Sequence, residues 1–234
     1  RILFHSCCFI NLILVKVQIR TSFSESLSPN VAVQECVRYI LSREGSKIPI
    51  KLGDIRKYLE DNFGVSRNLY KNIIIDANNV LKNVYGYKLV QIDGKQSQYI
   101  VVLSEPCTNS LLSTYSNPLD RKLLIAALTH IFMTGTPIKE ENMWKFLSEA
   151  QLMTENDPEK KKLLTKTFTR QMYLKYTKGR HDIWFFEWGQ RAEEEIPKIF
   201  LLNKMAEAFN VEPEYWTEQY NEATGNENDE DSIE

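Results

Sequence analysis

Apolar residues recur at helical spacing from about residue 29 onward. Four of them fall at i, i+4, i+7 and i+8, which joins them into one stripe along a first helix that ends near Gly45. They are Val33, Val37, Ile40 and Leu41. Because Ile40 and Leu41 are adjacent, both cannot point straight into one small core, and we expect one of them to be partly exposed.

Two more helices and a hairpin are predicted before residue 104. A short extended piece leads into a second helix closed by Gly64, and a third helix covers about 67–84. Two alternating runs then flank Asp93 and Gly94, a dipeptide typical of tight turns. The runs are 87–92 and 98–103. Three helices followed by a β-hairpin are the elements of a winged helix.

The same order of elements returns after a linker that contains two prolines, at 104–118. A nearly all-apolar helix, an extended piece and a short helix are predicted there. They cover 123–133, 136–139 and 140–150. A basic helix and a second hairpin are then expected, so the chain is predicted to use one module twice.

The stretch 168–194 contains the predicted basic helix and the hairpin. On a helix, Phe168, Met172 and Tyr176 share one face, whereas the basic residues fall off that face. Those basic residues are Arg170, Lys175 and Lys178. The bulky run 183–186 then predicts a short strand, which ends at Trp188 and Gly189.

An internal repeat supports the duplication. The segments 49–59 and 137–147 align without a gap at an offset of 88 residues, and both begin with the tripeptide Pro-Ile-Lys. Chance similarity between two helical hairpins is the competing explanation. We therefore predict a mainly α fold with small β-hairpins, arranged as a tandem winged helix. Its first module covers 29–103 and its second module 119–209.

The two ends of the chain differ from these modules. Residues 2–19, within the leader 1–28, are apolar enough to imitate a signal sequence, but Asn11, Lys16 and Gln18 interrupt the run and no cleavage site is obvious. We expect a disordered or non-native leader there, with a targeting segment or a packed strand as alternatives. Residues 210–234 are expected to form an acidic tail.

Charge is distributed unevenly along the chain. All 29 Lys and Arg residues and 21 of the 31 acids lie at or before Lys204, which gives this part a formal charge of +8. The remaining 10 acids give the end of the chain a charge of −10. A cationic body permits an anionic partner such as DNA without requiring one.

The residue types needed for catalysis do not occur in any recognisable arrangement. The four cysteines form no CxxC pair, and the three histidines are far apart in sequence. No Ser/His/Asp pattern, HExxH motif or phosphate-binding glycine loop is present. We therefore predict no catalytic residues, no metal site and no cofactor, and we expect no membrane partner. His130 and the tryptophans of the second module are interpreted as packing residues.

Basic residues near the third helix of each module are candidates for DNA binding. Eight Lys and Arg residues and a single acid lie between positions 159 and 180. Phosphate contacts require such residues, although a solubilising charged face would have the same composition. The candidates are Arg67, Lys71, Lys166, Arg170, Lys175, Lys178 and Arg180. No set of residues argues for reading bases, so we predict sequence-independent binding of duplex DNA.

Several ordered blocks carry a family resemblance. They are KIPIKLGDIRKYL, VYGYKLVQID, LLIAALTHIFMTGTPIKEENMWKFL, LLTKTFTRQMYLKY and FEWGQRAEEE. Together they resemble the MAGE homology domain, the tandem winged-helix domain of the melanoma-associated antigen family, from about Val31 to Phe209. The segment 211–223 resembles the one that follows this domain in the family's chromosome-maintenance member. The alternative is that Trp216 and Tyr220 only pack back on the domain.

The resemblance implies a non-catalytic scaffold in the structural maintenance of chromosomes (SMC) five–six complex, located on chromosomes in the nucleus. Ile40 and Leu41 match the family's hydrophobic pair that docks a RING-type ubiquitin ligase subunit, although Ile replaces the first leucine here. The second module is expected to hold a helix of a kleisin subunit. Ile199, Phe200 and Leu201 are candidates for that groove, with core packing as the alternative. The competing functions are a ligase adaptor outside this complex and a sequence-specific transcription factor.

Overall fold

The computed structural model describes residues 29–105, 117–154 and 156–225. The predicted leader and residues 106–116 of the predicted linker lie outside the described residues. In the first module the elements are α1 (Pro29–Glu44), β1 (Ile50–Lys51), α2 (Leu52–Phe63), α3, β2 (Tyr87–Ile92) and β3 (Lys95–Leu103). Helix α3 begins as a 3-10 turn, Arg67–Leu69, continues as Tyr70–Val80 and ends in a π-helical turn, Leu81–Tyr85.

The second module repeats this order and adds three helices. Its elements are α4 (Pro118–Thr134), β4 (Ile138–Lys139), α5 (Glu140–Glu149), α6, β5 (Leu174–Lys178), β6 (Trp184–Trp188), α7 (Gln190–Glu195), α8 (Lys198–Phe209) and α9 (Thr217–Thr224). Helix α6 runs through Pro158–Lys162, a π-helical turn at Leu163–Thr167, and Phe168–Arg170. No helix in the described ranges is long and apolar enough to cross a membrane.

The two sheets have the same topology. Each has three antiparallel strands, with the order β1-β3-β2 in the first module and β4-β6-β5 in the second. In both, the short first strand pairs with the last strand of the hairpin. Three helices with a hairpin closed by such a strand are a winged helix, so the predicted tandem winged-helix fold is confirmed.

Burial follows the internal repeat at its offset of 88 residues. Ile50 and Ile138 are both buried on the short first strands. The next two pairs, Ile55 with Met143 and Leu59 with Leu147, are fully buried on α2 and α5. Full burial of such a side chain contributes about 2 kcal/mol of transfer free energy. The repeat in the sequence therefore marks equivalent core positions of two separate cores.

The predicted helical face of 168–176 was wrong, because α6 ends at Arg170. Met172 has a left-handed φ of 68°, and the chain then enters strand β5. Tyr176 stacks on Trp184 of the neighbouring strand with ring centroids 4.6 Å apart. A spacing of four residues also fits strand alternation, and cross-strand aromatic packing decides the outcome. Lys175 and Lys178 consequently lie on a strand.

The acidic end of the chain folds onto the second module as far as residue 225. Trp216 and Tyr220 pack against the core of that module, as the alternative interpretation of this segment expected. The Lys198 ammonium group on α8 lies 2.9 Å from the carboxylates of both Glu193 and Glu222. The contact with Glu222 joins α9 to α8, and the contact with Glu193 joins α7 to α8.

The hairpin of the first module packs on the second module. Ile92, Ile100 and Val102 are buried in a small cluster to which Met172 of the second module also belongs. At the tip of the hairpin, the Gln190 side chain donates to the Gln91 carbonyl at 2.9 Å and accepts from the Asp93 amide at 3.1 Å. One face of the first sheet is therefore part of the contact between the modules.

Arg191 is the polar centre of this contact. Its side chain is only 1% exposed, and its guanidinium group donates to carbonyls of both modules. The acceptors are the carbonyl oxygens of Val101 and Lys47 in the first module and of Gln171 in the second, the last two at 3.0 and 2.7 Å. A planar group with five donors suits this role, because several carbonyls can be satisfied at fixed angles.

The charge of Arg191 is balanced by Glu195, one helical turn further along α7. Their nearest atoms, Nη1 and Oε1, are 3.0 Å apart, and the Tyr173 hydroxyl donates to the other carboxylate oxygen at 2.6 Å. Burial, followed by the nearby Glu195 charge, raises the pKa of Tyr173. Glu193 to Glu195 thus lie at the end of a short helix, and Glu195 is a buried partner in an ion pair.

Replacement of Arg191 by methionine is expected to lower the free energy of unfolding by about 3 to 5 kcal/mol, because it removes the nearest cation from the buried Glu195 carboxylate. The Lys47 ammonium group remains, but it lies 3.9 Å from that carboxylate. Urea unfolding followed by circular dichroism measures this change. Arg180→Met, at an exposed arginine, is the matched control and should change stability by less than about 0.5 kcal/mol. A loss below about 1 kcal/mol for Arg191→Met would contradict the role given to this ion pair.

Gly189, which precedes α7, is expected to tolerate no side chain. A Cβ atom there would lie 2.2 Å from the Met172 carbonyl oxygen, so Gly189→Ala should cost about 1 to 3 kcal/mol through backbone displacement. Gly53→Ala is the control, because no atom lies within 4 Å of the added methyl group on helix α2. That control should gain about 0.5 to 1 kcal/mol from helix propensity. Equal thermal stability of the two variants would refute the expectation.

Candidate partner and nucleic-acid surfaces

The hydrophobic pair on α1 is divided between the core and the surface. Ile40 is 0% exposed and belongs to the core of the first module, which also contains Cys36 and Val37. Leu41 is half-buried and packs at the edge of that core. Adjacent helical residues point about 100° apart, which accounts for the difference. Of the two, Leu41 is the residue that a partner can contact directly.

Helix α6 presents a line of cations. Lys162, Lys166 and Arg170 are exposed at i, i+4 and i+8, while Leu164 and Phe168 are buried on the opposite side. Among the described residues, no carboxylate lies within 4 Å of the charged groups of these three side chains. Helix α6 is therefore amphipathic, but over residues 158–170 and with a different buried face from the one predicted from the sequence.

Two other candidate cations are exposed but paired. Lys175 on β5 lies 3.0 Å from the Glu187 carboxylate of β6, and Lys178 lies 2.7 Å from Asp182 in the hairpin turn. Surface ion pairs contribute little stability, yet each carboxylate lowers the positive potential of its lysine. Arg180 is exposed in the same turn. The structure places this arginine and the paired lysines on the hairpin rather than on the helix.

Two candidates of the first module lie at the start of α3. Arg67 is exposed in the opening 3-10 turn, and Lys71 is exposed one turn further on. Neither has an ion-pair partner among the described residues. The two modules thus carry unpaired cations at their third helices, and the denser line belongs to α6.

The residues considered for a kleisin groove pack mainly inward. Leu201 is buried in the second core, and Ile199 and Phe200 are half-buried against it. A cavity of about 150 Å³ lies nearby on the second module. Its lining includes Phe132, Trp188, Glu193, Lys198 and Glu222. This cavity combines an aromatic wall with the Lys198 ion pairs, a feature that the sequence did not indicate.

Chemically reactive side chains are held in unreactive environments. Burial raises the pKa of the Cys36 thiol to about 12, so this residue is not a thiolate at neutral pH. His130 stacks on Phe146 with ring centroids 4.0 Å apart, and its Nδ1 lies 3.2 Å from the Thr134 hydroxyl. Burial lowers the pKa of His130, which favours the neutral ring. The described residues contain no group of three or more His, Cys, Asp or Glu that could hold a metal ion.

Sequence reasoning missed the role of Arg191. The signal was weak, because an arginine four residues before a glutamate also occurs on many solvated helices. Gly189, two residues earlier, indicates from the sequence only the end of the predicted strand. Their joint function, a close backbone approach followed by a buried cation, depends on contacts between segments that are far apart in the sequence.

The chain is similar to known proteins over both of its modules. The model of the MAGE homology domain matches residues 36–105 and 121–199. The chain is 33% identical over 207 residues to the Non-structural maintenance of chromosomes element 3 homolog of Mus musculus, covering 83% of this chain and 72% of that protein. The Homo sapiens protein of the same name is also 33% identical over 207 residues, and the chain covers 66% of its length.

A solved structure is similar as well. One chain of the "Nse1-Nse3-Nse4 complex" superposes with a TM-score of 0.71 and 31% sequence identity, over 84% of this chain and 97% of that chain. The match therefore includes both modules rather than a single winged helix. The family model, the relatives and the fold agree with the resemblance found in the sequence blocks. The chain belongs to the MAGE homology domain family.

Proposed function

We propose that this protein is a non-catalytic scaffold subunit of an SMC five–six genome-maintenance complex. In that role it joins a RING-type ubiquitin ligase subunit to a kleisin subunit and contacts duplex DNA, and it is located on chromosomes in the nucleus. The observation that carries the proposal is the similarity to a chain of the Nse1-Nse3-Nse4 complex over both modules. Likeness to the element 3 homologs supports the same complex.

The RING-type subunit is proposed to dock on α1 of the first module. Leu41 supplies an apolar contact at the surface, and Ile40 supports the helix from the core. Partly buried aliphatic residues that are held by a packed helix lose little conformational entropy on binding. The energetic contact is therefore assigned to Leu41, and the role of Ile40 is to position it.

The kleisin subunit is proposed to bind the second module. Ile199 and Phe200 remain half-exposed on α8, and the cavity beside Trp188 lies on the same module. Amphipathic helices commonly bind such grooves through a few apolar anchors. Because Leu201 is buried, it is expected to support this surface without contacting the partner.

Contact with duplex DNA is proposed to come mainly from α6. Lys166 and Arg170 are exposed, aligned along the helix and free of carboxylate partners among the described residues. Arg180 extends the same charge, and Arg67 and Lys71 add cations on the first module. Lys175 and Lys178 are expected to contribute less, because each already has an ion-pair partner. Lysine and arginine contacts to phosphate carry no base preference of their own.

Purification of the native protein with its partners, followed by mass spectrometry, tests the proposal as a whole. Recovery of a RING-type subunit, a kleisin and SMC subunits is the expected result. Recovery of a RING-type ligase without kleisin or SMC subunits would instead support a ligase adaptor. DNA footprints confined to one sequence, without either partner, would support a transcription factor.

Leu41→Ala is expected to weaken binding of the RING-type subunit about tenfold, because truncation of an interface anchor costs more than about 1 kcal/mol. Isothermal titration calorimetry with the purified subunits measures the change. Leu119→Ala is the matched control, since that leucine is exposed on α4 of the other module. An unchanged affinity for Leu41→Ala would remove α1 from the interface. Ile40→Ala is a poorer test, because loss of a buried isoleucine destabilises the fold by about 2 to 5 kcal/mol.

The double variant Lys166→Ala with Arg170→Ala is expected to weaken duplex binding and its dependence on salt. Loss of two phosphate contacts should reduce the slope of log affinity against log salt concentration by about 1.8. The control is Lys145→Ala with Lys204→Ala, which removes the same charge from exposed positions outside α6. Fluorescence anisotropy at several salt concentrations gives both slopes. Equal slopes for the two double variants would show that only net charge matters.

A further inference from the structure

The third helices of the two modules expose different chemistry from equivalent positions in the fold. The outward residues of α6 include the three unpaired cations Lys162, Lys166 and Arg170. Those of α3 are mostly side-chain amides with an aliphatic residue among them. The exposed residues on this face of α3 are Asn68, Lys71, Asn72, Ile75, Asn79 and Lys82.

Helical spacing places these six residues of α3 on one side. The buried residues of the same helix, among them Ile73, Ala77 and Leu81, lie on the opposite side and fill the first core. Ile75 is 50% exposed near the middle of the outward face. Asp76 is the acid next to it and lies at the edge of the face, about 100° around the helix.

This face contributes little to the stability of the fold. Asparagine is a poor helix former because its amide competes for backbone hydrogen bonds, and an exposed isoleucine buries little surface. Asn78 shows the contrast, because its side chain accepts a hydrogen bond from the Leu89 amide at 2.8 Å and thereby joins α3 to the hairpin. Among the described residues, the side-chain amides of Asn72 and Asn79 make no hydrogen bond of this kind.

The chemistry of the face matches the edges of base pairs. An asparagine side chain can donate from its amide N–H to N7 of adenine and accept at its carbonyl oxygen from the N6 amino group, and an aliphatic side chain packs on the methyl group of thymine. Lysines at the two ends of such a face can contact guanine or the phosphates. Helices presented by helix-turn-helix folds enter the major groove in this orientation.

We propose that α3 reads base edges in the major groove and gives the protein a preference for A·T pairs, with Asn72 and Asn79 as the amide contacts and Ile75 as the thymine contact. This inference rests on the DNA binding proposed above, and it departs from the sequence-independent binding expected from the amino-acid sequence. The second module contacts phosphates through α6, and these contacts set the affinity for DNA. The first module adds a modest sequence preference through α3.

The test uses the full chain and two duplexes of equal length, one composed of A·T pairs and the other of G·C pairs, at one salt concentration. Each amide contact to adenine discriminates by about 1 kcal/mol or more, so the unmodified protein should prefer the A·T duplex by at least about fivefold. Asn72→Ala with Asn79→Ala should abolish that preference and keep the affinity for the G·C duplex. Alanine is the better helix former, so this variant should remain folded.

Asn203→Ala is the matched control, because it removes an exposed asparagine from helix α8. It should retain the preference. Equal binding of both duplexes by the unmodified protein would overturn base reading and leave the phosphate contacts in place. Binding of neither duplex would overturn both proposals. Loss of RING-subunit binding in the Asn72 and Asn79 variant, with the DNA preference unchanged, would assign this face to a protein partner and also overturn the inference.

Discussion

Arg191 lies where the two winged helices meet, and the arrangement of the modules depends on its hydrogen bonds. Its guanidinium group joins carbonyls on either side of the boundary, and Glu195 neutralises its charge inside the protein. A buried ion pair of this kind costs desolvation energy that only good geometry recovers. Neighbouring residues fix the geometry of this ion pair. Gly189 lets the backbone approach Met172 closely, and the Tyr173 hydroxyl donates a hydrogen bond to the second carboxylate oxygen of Glu195. The contact therefore favours one relative orientation of the modules.

That orientation decides which surfaces remain for partners. One face of the first sheet is covered by Met172 and α7, so the hairpin of the first module is engaged within the chain. The third helices remain exposed, and α1 keeps Leu41 at its edge. The scaffold proposed here consequently offers helices to its partners: α1 to the RING-type subunit, α8 to the kleisin, and α3 and α6 to DNA. Their separate positions allow one chain to hold several components together.

The sequence predicted the repeated fold because its signal is local. The offset of 88 residues between Ile50 and Ile138, the periodicity of each helix and the Asp93-Gly94 turn can all be read without knowing any distant contact. The end of α6 could not be read in this way, since Phe168, Met172 and Tyr176 fit either helix or strand until Trp184 lies beside Tyr176. The pairing of Lys175 with Glu187 and the burial of Arg191 likewise require tertiary contacts.

The hairpin tip of the first module is constrained by a helix of the second. Gln190 contacts both Gln91 and Asp93, so a change in the length or shape of that turn alters the surface on which α7 packs. The two contacts of Gln190 are to backbone groups, so an insertion in the turn would displace both acceptor and donor and separate this tip from α7.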